Sequence, residues 1–186
     1  MSPGGHLVTT ALACGAVYAA TGSAPLTAGL AAGGFLIDVD HVIDYVAFDR
    51  RRDLRPAAFL RYYFEGRVRY TVLLLHSYEL AVLLALLAWA TQWPWLWGWV
   101  LGMALHLPLD VVFNGRLVPG GLVGFYSFAC RWRAGFRADR FWDRERLAPL
   151  DASFWVNFFR GAQLKAGPPE PLRAPAAPLA PGRLAH

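Results

Sequence analysis

Two stretches of 19 residues, Val72 to Ala90 and Trp95 to Phe113, contain no Lys or Arg and are apolar apart from a few polar side chains gathered towards one end of each. As helices rising about 1.5 Å per residue they would each reach about 28 Å, close to the ~30 Å hydrocarbon core of a bilayer. That pattern predicts membrane-spanning helices. The ionisable groups inside them are then conspicuous: His76 and Glu79 in the first, His106 and Asp110 in the second. An Asp at the centre of a span costs roughly 2.5–3.5 kcal/mol on insertion scales, so such groups are expected to be used.

Two shorter apolar segments, Leu7 to Ala20 and Leu26 to Ile37, read as a helical hairpin that crosses only with tilt or local thinning. Composition agrees with a lipid-solvated chain, because 56% of the 186 residues are hydrophobic, 17% are charged and mean hydropathy is +0.32. The expectation is an all-α integral membrane bundle of about four apolar helices plus interfacial helical segments, one domain over 1–160. Beyond it, 161–186 carries six prolines and reads as a Pro/Ala-rich disordered tail, where His186 has no role. No Lys or Arg precedes the first apolar run, so a cleaved signal peptide is not expected, and the loose lipoprotein-like Ala11-Leu-Ala-Cys14 is set aside on the same ground. Cys14 and Cys130 lack paired zinc-knuckle spacing and read as buried thiols.

The net charge of +5 rests on Arg, Lys165 being the only lysine, and the arginines concentrate in Arg50–Arg69 and Arg131–Arg146. These stretches flank apolar segments and do not form a nucleic-acid-binding helix face. The positive-inside rule places them in the cytoplasm and the uncharged link Thr91-Gln-Trp-Pro94 outside, with both termini cytoplasmic. Trp89, Trp93, Trp95, Trp97 and Trp99 around that link form an aromatic belt. The Arg55–Tyr70 stretch, with aromatics between arginines, reads as an interfacial segment.

Depth then becomes countable. His76 and His106 have their midpoint at residue 91, in the outer turn, so on an antiparallel hairpin they share one level near the cytoplasm. With Thr21–Pro25 as the other outer turn, His6 and the Asp38-Val-Asp40-His41 cluster reach the same face. His106, Asp110 and Asn114 recur at i, i+4 and i+8, and His76 and Glu79 at i, i+3, so each set would share a helix face. Gly29-xxx-Gly33 and Gly98-xxx-Gly102 would let two helices approach closely, and Pro108 should disturb the helix carrying His106.

Carboxylates mixed with imidazoles suit Zn, with Mn or Fe as alternatives, better than Mg, and the convergence implies a site of two or three ions. The metal set read from the chain is His6, Asp38, Asp40, His41, His76, His106 and Asp110. Glu79, one turn deeper than His76, could be a general base acting on water or a further ligand. Taken singly these features have plainer explanations: a solvated helix end for Asp38 to His41, an intrahelical pair for His106 and Asp110, nothing for His6. Asp44, Asp49 and Asp53 read as solvated partners of Arg50 to Arg52.

The motifs Ile37-Asp-Val-Asp-His41, Leu75-His-Ser77 and His106-xxx-Asp110 occur in the order Asp-x-Asp-His, His-Ser, His-xxx-Asp. In this the chain resembles, over about residues 1–115, the inner-membrane metal-dependent hydrolases whose founder is a LexA-regulated hydrolase. Members show Pro-Asp-x-Asp-His and Thr-His-Ser; here Ile37 replaces the proline, Leu75 replaces the threonine, and the His-Arg-Gly lead before the second motif is missing. The resemblance implies Asp38, Asp40, His41, His76, His106 and Asp110 as the metal site of a hydrolase. The expected activity is metal-assisted hydrolysis at the cytoplasmic interface, on a membrane lipid or a phosphorylated amphiphile that the Arg50–Arg69 stretch helps to hold. Alternatives are a transporter, whose polar groups should continue to the far side, a haem protein using His76 and His106, and a non-catalytic metal-binding scaffold. No nucleic-acid partner is expected.

Overall fold

In α1, Pro3–Thr21, the start and stop are both local: Ser2 Oγ accepts from the Gly5 N–H, Pro3 occupies the first turn, and Gly22 ends the helix at φ 64°. Ser23 then caps α2, Ala24–Gly34, in the same way. The chain continues through a 3-10 turn, Leu36–Asp38, into the short α3, Val39–Ile43, and a π-helical turn, Asp44–Phe48. After α4, Pro56–Phe64, an irregular stretch leads to α5, Tyr78–Thr91, and a tight turn at Gln92 leads to α6, Pro94–Asn114. Three short helices follow: α7, Leu122–Phe125; α8, Phe128–Arg133; and α9, Phe154–Arg160. This is a computed structural model that describes residues 1–165 except 116, 119–121 and 143.

The protein is all-helical, and among the described residues β-pairing is limited to the isolated bridges Tyr70 with Arg137 and Leu147 with Leu164. Residues 166–186 lie outside the described residues. The tail expected from residue 161 does not begin there, because Leu164 pairs with Leu147 and the Lys165 N–H donates to the Arg146 carbonyl.

The close helix pair is α2 against α6, and glycine is the reason. A Cβ on Gly29 or Gly33 would overlap the Trp95 or Trp99 carbonyl, and one on Gly98 would overlap the Leu26 carbonyl. Both small-residue motifs therefore face each other, as the spacing predicted. Ile37, Leu73, Met103, Leu107, Val118, Phe125 and Tyr126 pack as the main apolar core, and Tyr45, Tyr62, Val68 and Ala138 as a second.

The expectation of four apolar crossings is met only in coarse form. Among the described residues α6 is the single straight helix long and apolar enough to cross a membrane, and α2 passes only together with Leu36–Phe48, from which it is bent by 43°. The stretch expected as a helix from Val72 is helical only from Tyr78, because Ser77 caps it and residues 72–77 are irregular. The outward faces are nonetheless apolar: Leu12 on α1, Val82, Leu83, Leu86 and Trp89 on α5, and Val112 on α6 are exposed. Cys14 is half-buried and Cys130 exposed, both free, which corrects the expectation of a buried Cys130.

Candidate metal centre

Residues 68–77 run irregularly through the interior, so their backbone polar groups need partners other than each other. Three carboxylates supply them. Asp49 accepts from the N–H groups of Arg69 and Tyr70 at 3.2 Å each. Asp44 accepts from Val72 at 2.7 Å and Leu73 at 3.1 Å, and Asp40 from Leu75 at 3.0 Å and His76 at 3.2 Å. The carbonyls of the same segment turn to Arg131, which is fully buried and donates to Val72, Leu73, His76 and Phe125.

Asp44 and Asp49 are thus buried anchors, not solvated partners of Arg50 to Arg52. Asp49 also accepts from the Tyr62 phenol at 2.7 Å; burial, then this bond, pushes the Tyr62 pKa up. Asp53 alone reaches solvent, being only half-buried, and it pairs with Arg55, whose guanidinium holds its carboxyl down to about 2.

This scaffold delivers His76 to a site shared by four separate parts of the chain. Asp40 lies 3.0 Å from His76 Nδ1, and the Gly34 carbonyl lies 2.9 Å from His106 Nδ1. A carbonyl and a carboxylate can only accept, so both Nδ1 atoms carry protons, and in the neutral imidazoles both Nε2 atoms are left as lone pairs. Those two Nε2 atoms face each other at 3.0 Å. Around them stand Asp38 Oδ1, 3.3 Å from His76 Nε2 and 3.6 Å from His106 Nε2, and Asp110 Oδ2, 3.4 Å from His106 Nε2. His6 stacks on His106 with ring centroids 3.7 Å apart and sets its Nε2 2.9 Å from Asp110 Oδ1, which the Met1 amine also touches. His41 closes the ring, with Nε2 3.8 Å from Asp38 Oδ1.

A cluster made of acceptors needs a positive charge at its centre. One proton could bridge the two imidazoles, yet Asp38 and Asp110 would still direct their oxygens at the same point. Metal ions would meet these atoms in overlapping sets, and the donor chemistry, imidazole nitrogen with carboxylate oxygen, suits them. Three overlapping groups could hold an ion: His6, His106 and Asp110; Asp38, His76 and His106; and Asp40, His41 and His76. His6 Nδ1 and His41 Nδ1 are buried without a hydrogen-bond partner, so the protein leaves both rings poorly satisfied as they stand.

All seven residues read as ligands come together, but their roles differ. Asp40 spends both oxygens on His76, so it orients a ligand in the manner of carboxylate–histidine–metal triads. Glu79 is the correction. It points away from the cluster: it accepts from Ser127 Oγ at 2.6 Å and from the N–H groups of Phe128 and Ala129, tying α5 to the start of α8. Its i, i+3 relation to His76 failed because His76 is not helical. Arg131 gave no signal in the sequence, being one arginine in an Arg-rich stretch. Asp44 was findable, lying one turn beyond Asp40.

The buried side of the cluster is His76, His106, His6 and Asp110; the open side is Asp38 and His41, with side chains 29% and 26% exposed. They open onto a cavity of about 620 Å³ that His6 and Asp110 also line and whose remaining wall is rich in aromatic side chains but also includes Asn114, Arg160 and Gln163. Comparison with protein-family models, with curated proteins and with solved structures finds no match.

Proposed function

We propose that this chain is a membrane-bound metal-dependent hydrolase acting at the cytoplasmic side of a bacterial inner membrane on a lipid or phosphorylated amphiphile. The observation that carries the reading is the pair of facing His76 and His106 Nε2 lone pairs ringed by Asp38 and Asp110 oxygens, next to a large apolar cavity. The motif resemblance to inner-membrane metal-dependent hydrolases adds support, since its residues are those that converge. His6, Asp38, His41, His76, His106 and Asp110 would hold two or three ions, Zn being preferred and Mn or Fe suited to the same donors.

Metal at such a site supplies Lewis-acid chemistry, lowering the pKa of water towards ~7 and neutralising negative charge as it develops. The chain's own part is positional. Asp40 and the Gly34 carbonyl hold His76 and His106 in one tautomer and one orientation. Asp38 and Asp110 both line the cavity and Asp38 is the more exposed of the two, so it would stand where water and a scissile ester meet. The exposed apolar faces of α1, α5 and α6 support a lipid substrate for the cavity. A transporter would continue polar groups along the helices, whereas α5 is exposed chiefly through Val82, Leu83, Leu86 and Trp89.

Elemental analysis of detergent-purified protein, prepared without added metal, tests the site, and hydrolysis of phosphodiester and phospholipid panels before and after chelation tests the activity. Stoichiometric metal with chelator-sensitive turnover is expected. Protein free of metal would overturn the reading.

A further inference from the structure

Resting on that reading, we infer that the cavity beside the metal cluster is a binding site for one hydrocarbon chain of an amphiphile whose anionic phosphate head faces the cluster. Chemistry is segregated within it. His6, Asp38, His41, Asp110 and Asn114 form the polar group of liners at the cluster, Ser2, Arg160 and Gln163 are further polar liners, and Phe59 and Phe64 from α4 and Phe154 and Phe158 from α9 are among the aromatic ones. Its volume, about 620 Å³, sits inside the ~300–1,000 Å³ range of pockets that enclose a single small ligand.

The polarity of the head follows from the acceptor cluster. Asp38 and Asp110 make that end unfavourable for anions without cations; with cations bound it attracts them, as do the Met1 amine and Arg160 that also line the cavity, and phosphate oxygens are good ligands for such ions. Access for the chain follows from α9. Trp155 and Phe159 on that helix are 64% and 53% exposed, as expected for a segment lying in a bilayer interface, while Phe158 and Phe159 of the same helix line the cavity. A chain leaving the lipid phase beside α9 would meet Phe154 and Phe158 on the way to the cluster.

The test uses the full-length, metal-loaded protein in lipid nanodiscs and hexadecyl phosphate carrying a mid-chain diazirine. Photolabelling followed by peptide mass spectrometry should mark residues of α4 and α9. Excess unlabelled hexadecyl phosphate should reduce that labelling at least tenfold, and labelling of the lipid-facing Val82–Trp89 surface should not respond. Chelation should weaken the competition by hexadecyl phosphate. Labelling that is confined to α5, or that no competitor reduces, would overturn the proposal, and competition unchanged by chelation would overturn the head-to-metal orientation. The readout needs no turnover: saturable labelling without any hydrolysis sinks the enzyme reading alone, and hydrolysis of soluble phosphodiesters without labelling sinks the chain site alone.

Discussion

Asp40 grips His76 at two points, the ring Nδ1 at 3.0 Å and the backbone N–H at 3.2 Å, so one carboxylate sets both the tautomer of the imidazole and the path of the chain that carries it. Asp40→Asn keeps the shape but can no longer serve as an anionic acceptor on both sides. Loss of an outer partner of this kind typically lowers metal affinity 10–100-fold. Competitive chelator titration should show that drop while the far-ultraviolet circular dichroism stays helical; unchanged affinity would remove Asp40 from the site.

Glu79→Gln separates two roles. A general base on water would be expected to cost about 10²–10⁴-fold in turnover on this change. With Glu79 bound to Ser127 and the first N–H groups of α8, the expected result is unchanged metal content and turnover. The variant should instead lose about 1 kcal/mol of stability, the usual scale for a lost helix-end interaction. A turnover drop with stability retained would restore the catalytic role.

How much of this was readable in the chain depended on whether the cause was local. The convergence of His6, Asp38, His41, His76, His106 and Asp110 was legible, because apolar segment lengths and turn positions put all of them at one level. The glycine pairs were legible too, since close approach has a simple i, i+4 signature and Gly29 and Gly98 have no room for a Cβ. Residues 72–77 were misread as helix because the groups that pull their N–H bonds away, Asp44 and Asp40, stand about 30 residues earlier. The same nonlocality hid Arg131, which looked like one more topogenic arginine. Length was misleading at α5, whose apolar composition extends beyond its 14 helical residues.

Gly98→Leu should be far more harmful than its exposed-surface counterpart. Any Cβ at Gly98 meets the Leu26 carbonyl, a backbone atom that cannot rotate aside, so α2 and α6 must separate. Overpacking of this type costs typically 1–3 kcal/mol or more. Gly15, whose Cβ would meet nothing, is the control: Gly15→Ala should stabilise α1 by roughly 0.5–1 kcal/mol. Thermal unfolding in one detergent would rank the two, and equal stability of both variants would contradict the tight helix contact.

Arg131→Met retains length and apolar bulk but removes the donors that satisfy the Val72, Leu73, His76 and Phe125 carbonyls. Asp40 and Asp44 would also lose the nearest buried positive charge. Breaking one side of a buried charged network commonly costs 3–5 kcal/mol. Expression should fall sharply, and hydrogen exchange at residues 72–77 should rise in whatever protein is recovered; native-like protection there would show that Arg131 is dispensable.

Metal removal should loosen the same region from the other side. Facing lone pairs of His76 and His106, with Asp38 and Asp110 pointing between them, repel one another once no cation stands among them. Binding confined to the folded state adds stability of RT ln(1 + [L]/Kd), about 2.7 kcal/mol when free ligand is at 100 times Kd. Chelated protein should therefore unfold at lower temperature, and readdition of Zn should restore the transition. His106→Ala removes the ring shared by two of the candidate ion groups, so its melting temperature should respond little to chelator or Zn. If wild type and His106→Ala shift equally, the cation lies elsewhere and the cluster is held together by protons alone.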